Sequence, residues 1–378
     1  MTFRRAVLAI LAAALLLALL GTRDTPHAVV KQSCGPFGDP PAKFIANVVP
    51  KCMDGEVLGP WNDSDGTPRY ACLYQPPPTT PPKPLPLIVY LHPSLANADS
   101  VRRFTNLLDF LKTANVSDDP KRPGFILLAP QGRNTTHYYL PPDRTGTGWD
   151  NWYRQFNPSG VVTAVGKSYP ENVDATTIDH FIAAVEATGK VDRQRVYVTG
   201  WSNGGAMAYL YGLNRAGIAA VGVYSAANPF QLALDPCPQT PVAGAPADYR
   251  QIQVFNPELP TYQVHNSCDI GGICPNALLL EKELGDLGGS VADTIIDYDQ
   301  RATAECNSTC GSNPNGGLRN PFAAMLGMAH HLRWPKPWTA AILDFFRRHP
   351  LKSDRAHPVK AQQNVQSNSR VAAIFSTT

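Results

Sequence analysis

Gly200-Trp-Ser-Asn-Gly204 is the stretch of this 378-residue chain whose residue types and spacing best suit chemistry. It has the form G-x-S-x-G, follows the apolar run Arg195-Val-Tyr-Val-Thr199 and opens a helical pattern at Asn203. Glycines on both sides of a serine at a strand-to-helix junction permit a turn too tight for larger neighbours, which lifts the hydroxyl clear of the backbone. The amide of Asn203 would then sit in the first turn of a helix, where N–H groups lack intrahelical acceptors and can hold an oxyanion. A serine hydroxyl is inert at neutral pH without a base, so a carboxylate and a histidine are expected downstream, in that order. Asp269 ends His265-Asn-Ser-Cys-Asp269, just past the apolar run Thr261–His265, and the adjacent His330 and His331 precede the last helical stretch. Ser202, Asp269 and one of these histidines imply acyl chemistry through a covalent serine intermediate.

Further groups complete such a site. A second oxyanion donor should come from the loop after the run Leu87–Leu91, which reads His92-Pro-Ser-Leu-Ala96. Pro93 has no N–H, so the amide of Ser94 is the expected donor and that of Leu95 the alternative. Trp149, Trp152 and Trp201 are candidates to line a cleft, where their rings could stack on a sugar, a phenolic acyl group or a flat polymer face. No cofactor is implied. Metal is not expected either, since the close pairs Cys268/Cys274 and Cys306/Cys310 lack the Cys-x2-Cys repeat of structural zinc sites.

The elements that must position these groups follow from pattern. Leu87–Leu91, Gly124–Ala129, Arg195–Thr199, Ala219–Tyr224 and Thr261–His265 are short apolar runs, as strands covered on both faces should be. Ser100–Thr113, Thr177–Ala187, Asn203–Leu213 and Pro337–Arg348 carry helical spacing, and Arg69–Tyr74 reads as an early edge strand. Strands alternating with helices predict an α/β fold with a mostly parallel central sheet and helices on both faces. Pro76–Pro86 is too rich in proline to pair in a sheet and is expected as an extended loop within one domain.

The ends bear on compartment. Arg4 and Arg5 precede an apolar run from Ala6 to Leu20, the shape of a secretory signal peptide and short for a membrane span; an uncleaved anchor is the rival reading. All eight cysteines lie beyond it and fit disulfides in an oxidising compartment, although eight permit 105 pairings. Asn62, Asn115, Asn134 and Asn307 begin Asn-x-Ser/Thr triplets, which would carry surface glycans in a eukaryotic host. Removing residues 1–28 takes away Arg4, Arg5, Arg23 and Asp24, so 33 basic against 30 acidic residues become 30 against 29. Without a basic patch, nucleic acid is not expected as a partner, and no stable membrane insertion is expected. The expected organisation is a signal peptide at 1–28, a cysteine-containing segment and proline-rich loop at 29–86, a catalytic domain at 87–350 and a polar tail at 351–378.

The chain resembles the polyhydroxybutyrate-depolymerase-like esterases, the group that also holds secreted feruloyl and acetylxylan esterases. The resemblance rests on Leu87-Ile-Val-Tyr-Leu-His92, Gly148-Trp-Asp-Asn-Trp-Tyr153, Arg195 to Ala208, His265-Asn-Ser-Cys-Asp269 and Gly327-Met-Ala-His330. It implies an α/β-hydrolase fold and a secreted serine esterase acting on a polyester or an acylated plant polysaccharide. It carries the acid to Asp269 and the base to His330. The chain departs from the pattern at His92-Pro93, where the family commonly has His-Gly, and at Ala329, where a glycine usually precedes the base. An acyltransferase would use the same machinery with an alcohol replacing water, whereas a non-catalytic binding module would be expected to have lost a triad residue.

Overall fold

Ten strands and five helices follow from the backbone of the computed structural model, which describes residues 49–63, 66–78, 83–132, 148–149, 163–164, 167–168, 172–226, 228, 256, 258–266, 274–286, 288–289, 291–296 and 331–351. The strands are β1 (Glu56–Asn62), β2 (Pro68–Tyr74), β3 (Leu85–Leu91), β4 (Ile126–Pro130), β5 (Thr163–Ala164), β6 (Lys167–Ser168), β7 (Val191–Trp201), β8 (Ala220–Tyr224), β9 (Thr261–Asn266) and β10 (Val291–Ile296). The helices are α1 (Ser100–Phe104), α2 (Val173–Glu186), α3 (Asn203–Leu213), α4 (Cys274–Asp286) and α5 (Thr339–Arg348). Eight strands form one sheet in the order β1-β2-β4-β3-β7-β8-β9-β10, and β5 and β6 form a separate antiparallel pair. From β4 to β10 all neighbours are parallel; β2 joins β4, and β1 joins β2, in antiparallel sense.

Alternation along the strands sorts the helices to two sides. Leu87, Val89 and Leu91 of β3, with Val196 and Val198 of β7, pack against Ile178 and Phe181 of α2 and against α3. The intervening Ile88, Tyr90 and Tyr197 face Val101 of α1 and Ile342 and Phe346 of α5. A strand that buries both faces has no polar side to display, which is why these segments read as unbroken apolar runs.

Several elements differ from the sequence expectation, each for a local reason. Arg69–Tyr74 lies within β2, but β1 covers it, so it is not an edge strand. β1 itself escaped the pattern because Gly59-Pro60 interrupts it, and the register shifts between Leu58 and Trp61. Pro86 stands inside β3 and not in the loop; the ladder to β7 shifts between Leu85 and Leu87, which accommodates a residue that cannot donate. The helix expected over Ser100–Thr113 splits into α1 and a 3₁₀ turn at Leu107–Phe110. Thr105 is extended there; its hydroxyl donates to the carbonyl of Val101 at 2.6 Å and accepts from the amide of Leu107 at 3.3 Å, replacing helical bonds. α4 and β10 were not anticipated. Cys52 and Cys72 are joined in a disulfide that ties the segment before β1 to β2. Among the described residues no helix is long and apolar enough to cross a membrane.

Beneath the sheet lies a buried charge cluster. Arg69 of β2 donates to Asp63 at 2.9 Å and to Asp174 in the first turn of α2 at 2.5 Å, and its guanidinium also reaches the carbonyl of Gln131 at 3.2 Å. Asn172 caps α2, its side chain accepting from the amides of Asp174 and Ala175 at 3.0 Å each. Removing one partner of such a cluster leaves uncompensated buried charge. Arg69→Met should therefore lower unfolding free energy by about 3–5 kcal/mol, measured by urea titration; a change under about 1 kcal/mol would show that the cluster carries no such weight.

Candidate active site

β7 runs straight into the turn that bears Ser202, and α3 leaves from the other side. Ser202 adopts φ 55 and ψ −121, a conformation that costs a non-glycine residue about 1–3 kcal/mol and persists only where the surroundings impose it. Here they do: the Ser202 amide donates to the carbonyl of Tyr224 at 2.9 Å, and its carbonyl accepts from the amide of Ala206 at 3.0 Å. The flanking glycines are dictated by space. A Cβ on Gly200 would meet the Gly204 carbonyl oxygen at 2.3 Å, and one on Gly204 would meet the carbonyl oxygens of Leu91 and His92 at 2.2 and 2.4 Å. The start of α3 thus lies directly on the end of β3, and Ser202 stands half-buried above the carboxyl edge of the sheet.

The ring that reaches it belongs to His331. Ser202 Oγ and His331 Nε2 are 3.0 Å apart. The residue expected in this place was its neighbour, His330, which lies outside the described residues together with Asp269 and Trp152. Among the described residues, Trp201 and Ser225 hold His331. The indole N–H of Trp201 donates to its main-chain carbonyl at 2.9 Å, and the hydroxyl of Ser225 hydrogen-bonds its Nδ1. Were Ser202 to donate to Nε2, Nδ1 would carry the ring proton and Ser225 Oγ would accept it. Nothing in the sequence marks Ser225 beyond its place directly after β8, the strand beside the nucleophile strand.

Trp201 and Trp149, expected to line a cleft, are both buried. Trp201 is 4 % exposed, packs edge-on with Trp334 and lies tilted against Tyr224, with ring centroids 6.3 and 6.1 Å away. Trp149 is 0 % exposed, and its indole N–H donates to the carbonyl of His92 at 2.8 Å. A buried indole must spend its N–H on an acceptor, and each does so on a main-chain carbonyl beside the site. Both are supports. Asn203, expected to give its amide to an oxyanion, opens α3 as required, and its side chain clamps Trp149: Oδ1 accepts from the Trp149 amide at 2.7 Å and Nδ2 donates to its carbonyl at 3.3 Å.

Ser94 occupies a tight turn after β3, closed by the Ala96 amide on the Pro93 carbonyl at 3.2 Å, with Leu95 at φ 65. His92 anchors this turn from below. Its Nε2 accepts from the amide of Gly132 at 2.9 Å, so its proton resides on Nδ1, which donates to the carbonyl of Pro93 at 2.9 Å. Burial holds its pKa down to about 4, against the opposing pull of that carbonyl. His92 is therefore neutral at physiological pH and unsuited to trade protons with a substrate. Among the described residues, the one cluster of metal-ligating types, Cys52, Cys72 and Asp99, contains the disulfide, and Asp99 accepts from the amides of Lys51 and Cys52 at 3.0 and 2.6 Å.

A mostly parallel sheet in this strand order, with a strained serine between β7 and α3, is the α/β-hydrolase fold. No protein-family model matches the chain, and no curated protein matches it. Among solved structures it is similar to a thermostable esterase (16% identity, TM-score 0.39), covering 74% of this chain and 63% of that one. It is also similar to an acylaminoacyl peptidase of Pyrococcus horikoshii (14% identity, TM-score 0.45), covering 79% of this chain and 42% of that one. A third likeness is a thermophilic esterase from the Planctomycetes species Thermogutta terrifontis (14% identity, TM-score 0.41), covering 66% of this chain and 85% of that one. The chain thus spans less than two thirds of the length of the first two. These likenesses are distant, and the fold assignment rests on the strand order and the turn at Ser202.

The depressed pKa of His92 has a consequence for stability. An unfolded histidine titrates near 6.5 and the folded one near 4, so between these values the unfolded chain binds more protons. The contribution is complete above about pH 6.5 and is lost as pH falls toward 4, about 3 kcal/mol in all. Urea titrations at pH 7 and pH 4.5 should show this loss in the wild type and a smaller one in His92→Gln; equal losses would show that His92 is not the group responsible.

Proposed function

We propose that this chain is a secreted serine esterase that hydrolyses carboxylic esters through an acyl-enzyme. The observation that carries this reading is the 3.0 Å approach of Ser202 Oγ to His331 Nε2 at a strained strand-to-helix turn. A hydroxyl in that position has a base within reach and little else to do.

The proposed reaction has an acylation half and a deacylation half. Ser202 Oγ attacks the ester carbon while His331 Nε2 takes its proton, and the carbonyl oxygen becomes an oxyanion held by the amides of Asn203 and Ser94. Collapse expels the alcohol as His331 returns the proton to it, leaving Ser202 acylated. Water then attacks, His331 takes its proton, and a second collapse releases the acid and restores the serine. Asp269 is the carboxylate proposed to stabilise the imidazolium, since in sequence it comes three residues after β9, a strand that lies two places from β7 and parallel to it. The motifs shared with polyhydroxybutyrate-depolymerase-like, feruloyl and acetylxylan esterases make a polyester or an acylated plant polysaccharide the favoured substrate. The apolar run Ala6–Leu20 behind Arg4 and Arg5 supports export.

Ser202→Ala should abolish hydrolysis of short acyl, feruloyl, acetyl-sugar and polyester substrates with the melting temperature retained, a loss on the order of 10⁴–10⁶ in turnover. A fluorophosphonate probe should label Ser202 alone. A folded alanine variant with wild-type activity would end the esterase reading. His331→Ala should match the serine variant in severity and His330→Ala should be much milder; the reverse ranking would assign the base to His330.

A further inference from the structure

We infer that Ser225 is a positioning residue for the base, holding the His331 ring with Nδ1 protonated so that Nε2 is presented to Ser202. The inference rests on the esterase reading above and deepens it.

Ser225 is buried and adopts φ 55, the left-handed region that a serine enters at a cost and a glycine enters freely. The strand end is fixed from both sides. The Ser225 amide donates to the carbonyl of Val264 in β9 at 2.8 Å, and the carbonyl of the preceding Tyr224 accepts from the Ser202 amide at 2.9 Å. The conformation is thus imposed by the two neighbouring strands, and glycine would satisfy the backbone better than serine does. What serine adds is a hydroxyl, and that hydroxyl hydrogen-bonds Nδ1 of His331.

The consequence for chemistry is directional. When Ser225 Oγ accepts the Nδ1 proton, the lone pair of Nε2 faces Ser202 Oγ at 3.0 Å. After Nε2 takes the serine proton, Nδ1 keeps its own and its contact with Ser225, while the charge on the ring is left to the carboxylate proposed at Asp269, so the ring does not rotate between accepting the proton and delivering it to the leaving alcohol. Because the Ser225 backbone is tied to the Ser202 amide through Tyr224, nucleophile and base move as one unit. Ser225 touches neither substrate nor reacting atoms; it acts through His331.

The experiment compares Ser225→Ala and Ser225→Gly with the full-length wild type on p-nitrophenyl acetate, alongside fluorophosphonate labelling and thermal melts. Both variants should lose about 10- to 100-fold in kcat with KM nearly unchanged, the scale of a lost hydrogen bond and a displaced catalytic group. The glycine variant should melt at or above the wild-type temperature, since it relieves the backbone, so its loss of rate cannot be ascribed to unfolding. The far-downfield proton signal of Nδ1–H should move upfield in both. A glycine or alanine variant with wild-type kcat and labelling rate would overturn the role of Ser225 while leaving the esterase reading intact. A wild type that neither labels nor hydrolyses would overturn the esterase reading itself and this inference with it.

Discussion

The conformation of Ser202 is the constraint around which the rest is arranged. A non-glycine residue at φ 55 is unstable by itself, so the surroundings must over-determine it. They do so by bringing three chain segments into contact: the end of β3, the end of β8 and the first turn of α3. That contact is possible only where Gly200 and Gly204 present no side chain. The parallel core of the sheet is what aligns these ends at one edge, since in a parallel arrangement every strand delivers its carboxyl end to the same side. Strain is thereby converted into exposure of a hydroxyl that would otherwise point into the backbone.

A continuous run of buried polar groups supports the turn after β3 and the start of α3. Asp63 and Asp174 hold Arg69, Arg69 holds the carbonyl of Gln131, and the next amide, that of Gly132, fixes His92. His92 in turn holds Pro93 through its ring and Trp149 through its carbonyl, and Trp149 meets the side chain of Asn203. Each member satisfies another, as buried polar groups must. The run links β2, β4, α2 and the loop after β3 to the residue that opens α3, so the turn bearing Ser94 is braced from the opposite side of the sheet edge. The histidine within it is kept neutral by burial, which leaves it a structural role.

Around His331 the support is mainly apolar. Trp334 packs edge to face with Trp201, Tyr224 and, at 6.2 Å, Tyr90, while Trp201 and Tyr224 are tilted against each other. Trp334 follows His331 by three residues and donates through its indole to Thr339, which donates to Asn106 at 2.6 Å. The segment carrying His331 is therefore pinned at the start of α5, and Trp201 closes the arrangement from β7. A loop held this way can present a ring with little freedom, which is what general-base catalysis requires.

Much of this architecture is local and could be read from the chain alone. The apolar runs of β3, β7, β8 and β9, the helical spacing of α3 and α5 and the G-x-S-x-G turn depend on side-chain period and on glycine, which are properties of neighbours in sequence. β1, α4 and the break at Thr105 were not readable, because a proline, a weak period or a single side-chain hydrogen bond overrode the pattern. That His331 approaches Ser202 was likewise beyond local rules, since it depends on where Trp334 packs and on the bond from the Trp201 indole to the His331 carbonyl. The same holds for Ser225, for the pairing of Cys52 with Cys72 and for the burial of Trp149 and Trp201. The sequence by itself determined the strand-to-helix turn at Ser202 and the sheet that carries it. The tertiary structure decided its partners, because hydrogen bonds and ring contacts between segments far apart in the chain are settled only when strand ends from different places meet at one edge.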